Sequence, residues 1–470
     1  MLKRQIRSRL RKLPLTARNL AANTLWFART GLPQRRFVSV PENPSLSWYR
    51  QTLIQTVDRF NGGLDGRSGT GAYRGDFNGY FHPTLDRYWR QMPILSSTSI
   101  AQSRAIYNNV EAHRAADDNA HFLRAIRLGT DFLLTSFRDA QYGGFFWQVT
   151  PEGKVADDTK DAYGNAHSLF ALAETYSITR NLSDLQAALD QLDVIEAYFW
   201  DAQFPGGVHT SRSRDFSTIS GVNNLNTVIH LFEALLALYD VSADEARKHT
   251  ADLITLQGNF ITEHLYRDQQ GYTDRGYLAL YYDEAWQPSQ IPYSPEARWL
   301  NAGYATTGHA IEMAYLLSRA VERGFDPRWL ATANKLIRFC LASTIDPISG
   351  GMIHEIADYD GQPLVIPPKE YTGWAQIETA RTLLHFSVVR EENYQAEFRR
   401  SEAFYLQHLT DAAYGGVYEA LQAGKQFQPT HTNKAHVWHM NYHHSMFLAE
   451  VLRLAAIYPE RISENPVLSR

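Results

Sequence analysis

An aspartate, a few residues, then a glycine followed by an apolar or aromatic residue recurs six times along this chain. The units read Asp76…Gly79-Tyr80-Phe81, Asp139…Gly143-Gly144-Phe145-Phe146, Asp201…Gly206-Gly207-Val208, Asp268…Gly271-Tyr272, Asp346…Gly350-Gly351-Met352 and Asp411…Gly415-Gly416-Val417-Tyr418. The last glycines fall at 79, 144, 207, 271, 351 and 416, in steps of 65, 63, 64, 80 and 65 residues. A fixed period constrains architecture ahead of any local pattern, because each unit buries its apolar face only against its neighbours. The 470 residues could otherwise hold two or three domains. No Pro/Ser-rich linker interrupts the period, so one large domain is expected over 46–470, preceded by a basic arm, 1–45.

Between glycine turns lie two stretches with apolar residues at helical spacing. After Gly144 they run over about 162–180 and 182–199, after Gly207 over 222–239 and 243–265, and after Gly351 over 372–390 and 393–410. The glycine permits the positive-φ turn that ends the second helix, and the short alternating segment after it suits a β-hairpin. One helix near 46–60, five pairs, and a last helix near 440–457 make twelve. First and last must pair to complete the sixth hairpin. The expected fold is all-α, an (α/α)6 barrel with small β-hairpins in its loops; an open superhelical array is the alternative.

Composition excludes little: 44% hydrophobic, 20% charged, net charge −4. Residues 1–41 carry ten Lys/Arg and no acid, leaving 36 basic against 50 acidic residues in the remainder. Such an arm could target the chain elsewhere, touch a membrane or polyanion surface, or lie solvated against the acidic body. No apolar run reaches the ~18 residues of a membrane span. The lone Cys340, in an apolar stretch, cannot form an intrachain disulfide. A reducing, cytoplasmic setting fits, and nucleic-acid binding would rest on the arm alone.

The first helix of each pair should be the inner one, its N-terminal end opening on one mouth of the barrel. That region offers Gln102 and Arg104, then Lys160, Asp161 and Tyr163, then Asn226 and His230. Further on come His309 and Glu312, then Trp374, Gln376 and Glu378, then Trp438, His439 and His443. Singly, each is more simply a core hydrogen-bonder or a helix-surface pair. Six helices bringing them to one end would surround a single pocket, and burying so many polar groups without a use is costly. His309 and Glu312, three apart, should hydrogen-bond, which would fix the imidazole tautomer and raise its pKa. The cluster His431, His436, His439, His443 and His444 could be read as a metal site, but it lacks Cys and well-spaced carboxylates, so no metal is expected. Metalloprotease, Walker and nucleophile-elbow motifs are missing.

These residues resemble the N-acylglucosamine 2-epimerase family, which includes cellobiose 2-epimerases, mannose isomerases and sulfoquinovose isomerase. The matching motifs are Gln-x-Arg at Arg104, Lys-Asp-x-Tyr at Tyr163, Asn-x-x-x-His-x-x-Glu at Asn226, His230 and Glu233, and Gly-His-x-x-Glu at His309 and Glu312. Trp-x-Gln-x-Glu follows at Trp374, Gln376 and Glu378, and Pro-Tyr-His at Tyr442-His443, with Asn441 in place of proline. The resemblance implies an (α/α)6 barrel that takes a reducing sugar without metal or redox cofactor. Proton transfer at carbon 2 would pass through a cis-enediolate. His309 and His443, from opposite repeats, would be the proton-transfer pair, and Arg104 the oxyanion donor. His230 and Tyr163 would hold hydroxyls or help open the ring, and Trp374 and Trp438 would stack on it. Arg275, Tyr282 and Trp286 could lid the pocket. A homodimer is an open expectation. Two competing readings are an inverting glycosidase using Glu312 and Glu378 across ~6.5–9.5 Å, and a non-catalytic sugar-binding protein.

Overall fold

A computed structural model describes residues 40–62, 78–117, 119–294, 301–352, 355–364, 370–422 and 427–464. The basic arm up to residue 39, and the Gly-rich stretch beyond Gly62, lie outside the described residues. Twelve helices alternate between two layers. The inner ones are α2 (Ser99–Ala115), α4 (Ala162–Thr179), α6 (Leu225–Val241), α8 (Thr307–Glu322), α10 (Gly373–Val389) and α12 (Tyr442–Ile457). The outer ones are α1 (Leu46–Asn61), α3 (Ala120–Phe132), α5 (Leu182–Tyr198), α7 (Asp244–Asn259), α9 (Trp329–Ser343) and α11 (Gln395–Phe404). A short α13 (Pro459–Glu464) follows. Each inner helix packs on the next, α12 packs back on α2, and α1 pairs with α12 as the sixth hairpin. The ring is closed, which rules out the open array. Inner helices such as α4 and α10 are buried nearly all round, as a helix enclosed on every side must be.

The aspartates of four repeats share a local task. Several outer helices widen in their last turn, so that the N–H of residue i+5 reaches the carbonyl of residue i: Arg138 to Leu133, Tyr266 to Ile261 and Thr410 to Tyr405. The Asp139 carboxylate Oδ1 then accepts the N–H groups of Gln141 and Tyr142, closing an Asx turn; Asp201, Asp346 and Asp411 do the same in their repeats. The other carboxylate oxygen takes a donor from the following segment: Lys160 for Asp139, Trp286 for Asp201, Lys434 for Asp411. Gln102 and Gln376 latch the glycine turns by accepting from Phe81 and Met352 and donating to Gly79 and Gly350 carbonyls. Lys160, Gln102 and Gln376, expected among the site residues, are therefore scaffold.

Successive repeats are also stitched by β-pairing. The residues just before each inner helix pair with the hairpin of the next repeat: Ser97 with Val149, Asp161 with Ser211, Asn224 with Tyr281, Ala305 with Ala357 and Thr372 with Ala420. Leu85 pairs with Ala435 and closes the circle. Six helix N-termini are thereby held at one rim. Among the described residues, no helix is long and apolar enough to cross a membrane.

Candidate active site

A cavity of about 650 Å³ opens at that rim. Nine of the residues expected at the mouth line it, Arg104, Tyr163, Asn226, His230, His309, Glu312, Trp374, Trp438 and His443, with Glu378 hydrogen-bonded directly beneath. Leu280, Tyr281, Asn224, Glu355, Glu419, His436 and His439 complete the wall.

His443 stands at the first turn of α12. Its Nδ1 lies 2.8 Å from Glu378 Oε1, and the second oxygen of Glu378 meets the Arg381 guanidinium at 2.5 Å. Burial raises the Glu378 carboxyl to about 7 against the lowering charge of Arg381; once ionised it only accepts, so Nδ1 then carries the proton and Nε2 keeps its lone pair. His309, in the first turn of α8, bonds Thr306 Oγ1 through Nδ1 (2.8 Å) and faces Asn226 Oδ1 with Nε2 (3.1 Å). Thr306 occupies the N-cap position, where Thr98 and Asn224 cap α2 and α6; on α8 the hydroxyl serves the imidazole instead. Being able to donate and accept, it supports either tautomer. The ring of Trp374 contacts both histidines, at 4.9 Å from His309 and 5.2 Å from His443, and its indole N–H is anchored on Glu355 at 2.7 Å. The two histidines come from α8 and α12, with only α10 between them, so they do not stand diametrically opposite as expected.

Burial sets the electrostatics. Desolvation, reinforced by His230, His443 and Arg104, pushes His309 down to about 3. Desolvation together with the Arg104 and Arg381 charges holds His443 far below the ordinary imidazole value. Both rings are neutral at neutral pH. The expected His309–Glu312 bond is not made: His309 sits at the rim beside Thr306 and Asn226, and Glu312, one turn deeper, has neither oxygen hydrogen-bonded among the described residues. Desolvation, with the nearby Glu378 and Glu233 carboxylates, raises Glu312 well above its usual range. The same three-residue spacing does pair on α6, where His230 Nδ1 meets Glu233 at 3.0 Å and Tyr442 donates to the same oxygen at 2.9 Å.

Arg104 donates to the Tyr163 hydroxyl at 2.5 Å and to the Trp438 carbonyl, while its Nε has no hydrogen bond among the described residues. Trp438, 47% exposed, lies nearly parallel to Tyr163 at 6.4 Å and beside Trp147 at 6.0 Å. Tyr282 and Trp286 are core residues and form no lid; Tyr281 takes a wall position. Of the histidine cluster, His436, His439 and His443 share the cavity wall, His436 paired with Glu419, while His444 turns away to bond Tyr405. The ligand-type atoms of Glu312, Glu378 and His443 lie within 4.8 Å of one another, close enough for a divalent ion, but Glu378 and His443 already spend theirs on each other and on Arg381. Glu312 and Glu378 are thus too close for the ~6.5–9.5 Å of an inverting glycosidase, and Glu378 is committed.

Sequence reasoning missed Glu355 and Glu419, although each follows a glycine turn in the hairpin that forms the rim. It also missed His167, one helical turn after Tyr163, whose buried ring packs between Tyr163 and His230.

The chain matches the N-acylglucosamine 2-epimerase family over residues 79–445. It belongs to that family. This makes it an enzyme of the isomerase class. It is 23% identical to the cellobiose 2-epimerase of Bacteroides fragilis over 394 residues, 80% of this chain and 92% of that protein. It is 23% identical to the D-mannose isomerase of Marinomonas mediterranea over 359 residues, 75% of this chain and 86% of that one. Among solved structures, the cellobiose 2-epimerase of Bacillus thermoamylovorans superposes with a TM-score of 0.73 at 20% identity, covering 87% of this chain and 98% of that one. A GH76 α-mannanase of Bacteroides thetaiotaomicron has the same fold at 13% identity and a TM-score of 0.57. That likeness carries the barrel and nothing of the chemistry.

Proposed function

We propose that this isomerase interconverts reducing sugars of the glucose and mannose type, as a 2-epimerase or aldose–ketose isomerase, by proton transfer between carbon and His309 or His443. What carries the reading is a pair of neutral imidazoles flanking Trp374 in one cavity, each tethered through Nδ1. The similarity to cellobiose 2-epimerases and D-mannose isomerases supports the substrate class.

With the open-chain aldose bound, one neutral imidazole takes the proton from carbon 2 and becomes imidazolium. The C–H electron pair forms the C1=C2 bond, and the carbonyl electrons move onto O1. Arg104 and the positive ends of six inner helices face this oxyanion. A proton returned to carbon 1, with the O2 proton passing to O1 as the carbon 2 carbonyl forms, gives the ketose; one delivered through the second histidine to the other face of carbon 2, with the carbon 1 aldehyde restored, gives the epimer. Tyr163, Asn226 and His230 supply hydroxyl partners, and Trp374 and Trp438 supply apolar faces.

The test is proton NMR of mannose, glucose, N-acetylmannosamine and cellobiose with the enzyme in D2O. Deuterium should enter at carbon 2 of an accumulating epimer or at carbon 1 of an accumulating ketose, and His309→Ala and His443→Ala should each abolish it. Turnover without solvent deuterium in either variant would refute the two-histidine route.

A further inference from the structure

We infer that Arg381 is a positioning residue for this reaction: acting through Glu378, it holds the His443 imidazole with its proton on Nδ1 and its Nε2 lone pair turned to the cavity. The inference rests on the proton-transfer reading of His443 above.

Arg381 lies one turn beyond Glu378 on α10, pointing into the floor of the barrel. Its side chain is 1% exposed, and the guanidinium lies 4.0 Å from the Tyr315 ring centre. Its Nη2 stands 2.5 Å from Glu378 Oε2 as an ion pair, and neither Nη2 nor Nε has a hydrogen bond among the described residues. It also lines a second cavity, about 540 Å³, at the opposite mouth of the barrel. Other arginines of that chamber pair with acids at its own rim, Arg114 with Glu174, Arg323 with Asp240 and Arg453 with Glu450. Arg381 reaches instead toward the carboxylate that holds His443.

The groups facing this trio come from every inner helix. Arg104 comes from α2, Tyr163 and His167 from α4, His230 and Glu233 from α6, His309, Glu312 and Tyr315 from α8, and Tyr442 from α12, with His439 just before it. Two of them are carboxyls like Glu378, and Glu233, Glu312 and Glu378 all act on the buried Arg381 guanidinium. A buried ion pair is weak evidence for stability, since apolar residues of similar volume often serve the fold as well. Its geometry here has a chemical consequence. Burial already holds Glu378 at about 7 beside Arg381, and without that cation it would take up a proton at higher pH still and become a donor. Donating to Nδ1, it would force the imidazole proton onto Nε2, and the lone pair facing the cavity would be gone.

The experiment compares wild type, Arg381→Met, Arg381→Lys, Glu378→Gln and the double variant Glu378→Gln/Arg381→Met. In nitrogen-15 NMR, the His443 proton should sit on Nδ1 in wild type and move to Nε2 in Arg381→Met, a readout that needs no substrate. In carbon-2 exchange, Arg381→Met should lower kcat on the order of 10²-fold while KM stays within about threefold. Arg381→Lys should recover part of the loss. The double variant removes both members of the ion pair and remains informative if Arg381→Met folds poorly; it should be no slower than Glu378→Gln alone. An unchanged tautomer, or losses that multiply in the double variant, would overturn the inference. So would loss of exchange in His443→Ala alongside an unimpaired Arg381→Met, which leaves the proton-transfer reading standing. Full exchange by His443→Ala would instead overturn both.

Discussion

Two histidines read from one short motif each end up with different partners, and the difference lies in depth. His309 and Glu312 have the same spacing as His230 and Glu233, yet only the deeper imidazole finds its glutamate. At the rim a hydroxyl and an amide are nearer. Removal from water then lowers His309 to about 3, where an exposed imidazole would titrate near 6.5. The acid limb of kcat/KM for the free enzyme is therefore expected well below pH 6.5; a limb centred at 6.5 would mean that the catalytic imidazole ionises as if exposed. Glu312 carries the opposite shift. Its folded pKa is raised, so its contribution to stability is complete below its unfolded value near 4.5 and is lost as pH rises toward the folded value. Glu312→Gln should remove that loss. Its unfolding free energy, measured by denaturant at pH 5 and pH 8, should fall less than that of wild type, by up to about 1.4 kcal/mol per pH unit titrated. Parallel pH profiles would show that Glu312 is ionised in the folded state.

At the level of the single repeat, the Asp–Gly turn is a joint between an outer helix and the hairpin that carries rim residues. The first of these joints is the tightest. Gly79 has φ +101°, and a Cβ there would come 2.1 Å from the Leu128 carbonyl oxygen. Gly271 has φ +81° with open space around it. Gly79→Ala should cost about 3 kcal/mol or more, and Gly271→Ala only about 1 kcal/mol, in urea unfolding. Equal costs would show that backbone conformation, and not the close approach to α3, sets the requirement for glycine. The aspartates differ as well. Removing the carboxylate in Asp411→Ala strands the fully buried Lys434 and should cost about 3–5 kcal/mol. At Asp346 the second oxygen receives the Tyr371 hydroxyl at 3.5 Å.

Across the whole molecule, closure of the ring joins residues far apart in sequence. Tyr49 on α1 donates to the buried Glu402 on α11, where desolvation has raised the carboxyl to about 7. Tyr49→Phe leaves that carboxyl without its donor and should lower stability by about 1–3 kcal/mol in thermal unfolding. An unchanged Tm would mean that the outer layer closes without this seam. Asn441, standing where the family motif has proline, adopts φ +56°, a conformation closed to proline.

The period of the glycine turns was sufficient for the fold, because repeats of equal length that must bury their apolar faces on one another have few ways to close. The helix starts were legible for the same reason, and with them the rim positions Arg104, Tyr163, Asn226, His230, His309 and His443. Pairing was not legible. Spacing along a helix places two side chains on one face, but burial and neighbours from other repeats choose the partner. Glu378 was read as a wall residue; it lies beneath the wall, because α10 turns it toward His443 from α12 and toward Arg381 below. Glu355 and Glu419 reach the cavity from hairpins whose register is set by strands of the preceding repeat. The sequence determined which residues face the mouth of the barrel; contacts between helices about 65 residues apart or more decided which nitrogen holds each proton, since only there does the energy of burying a charge depend on what stands beside it.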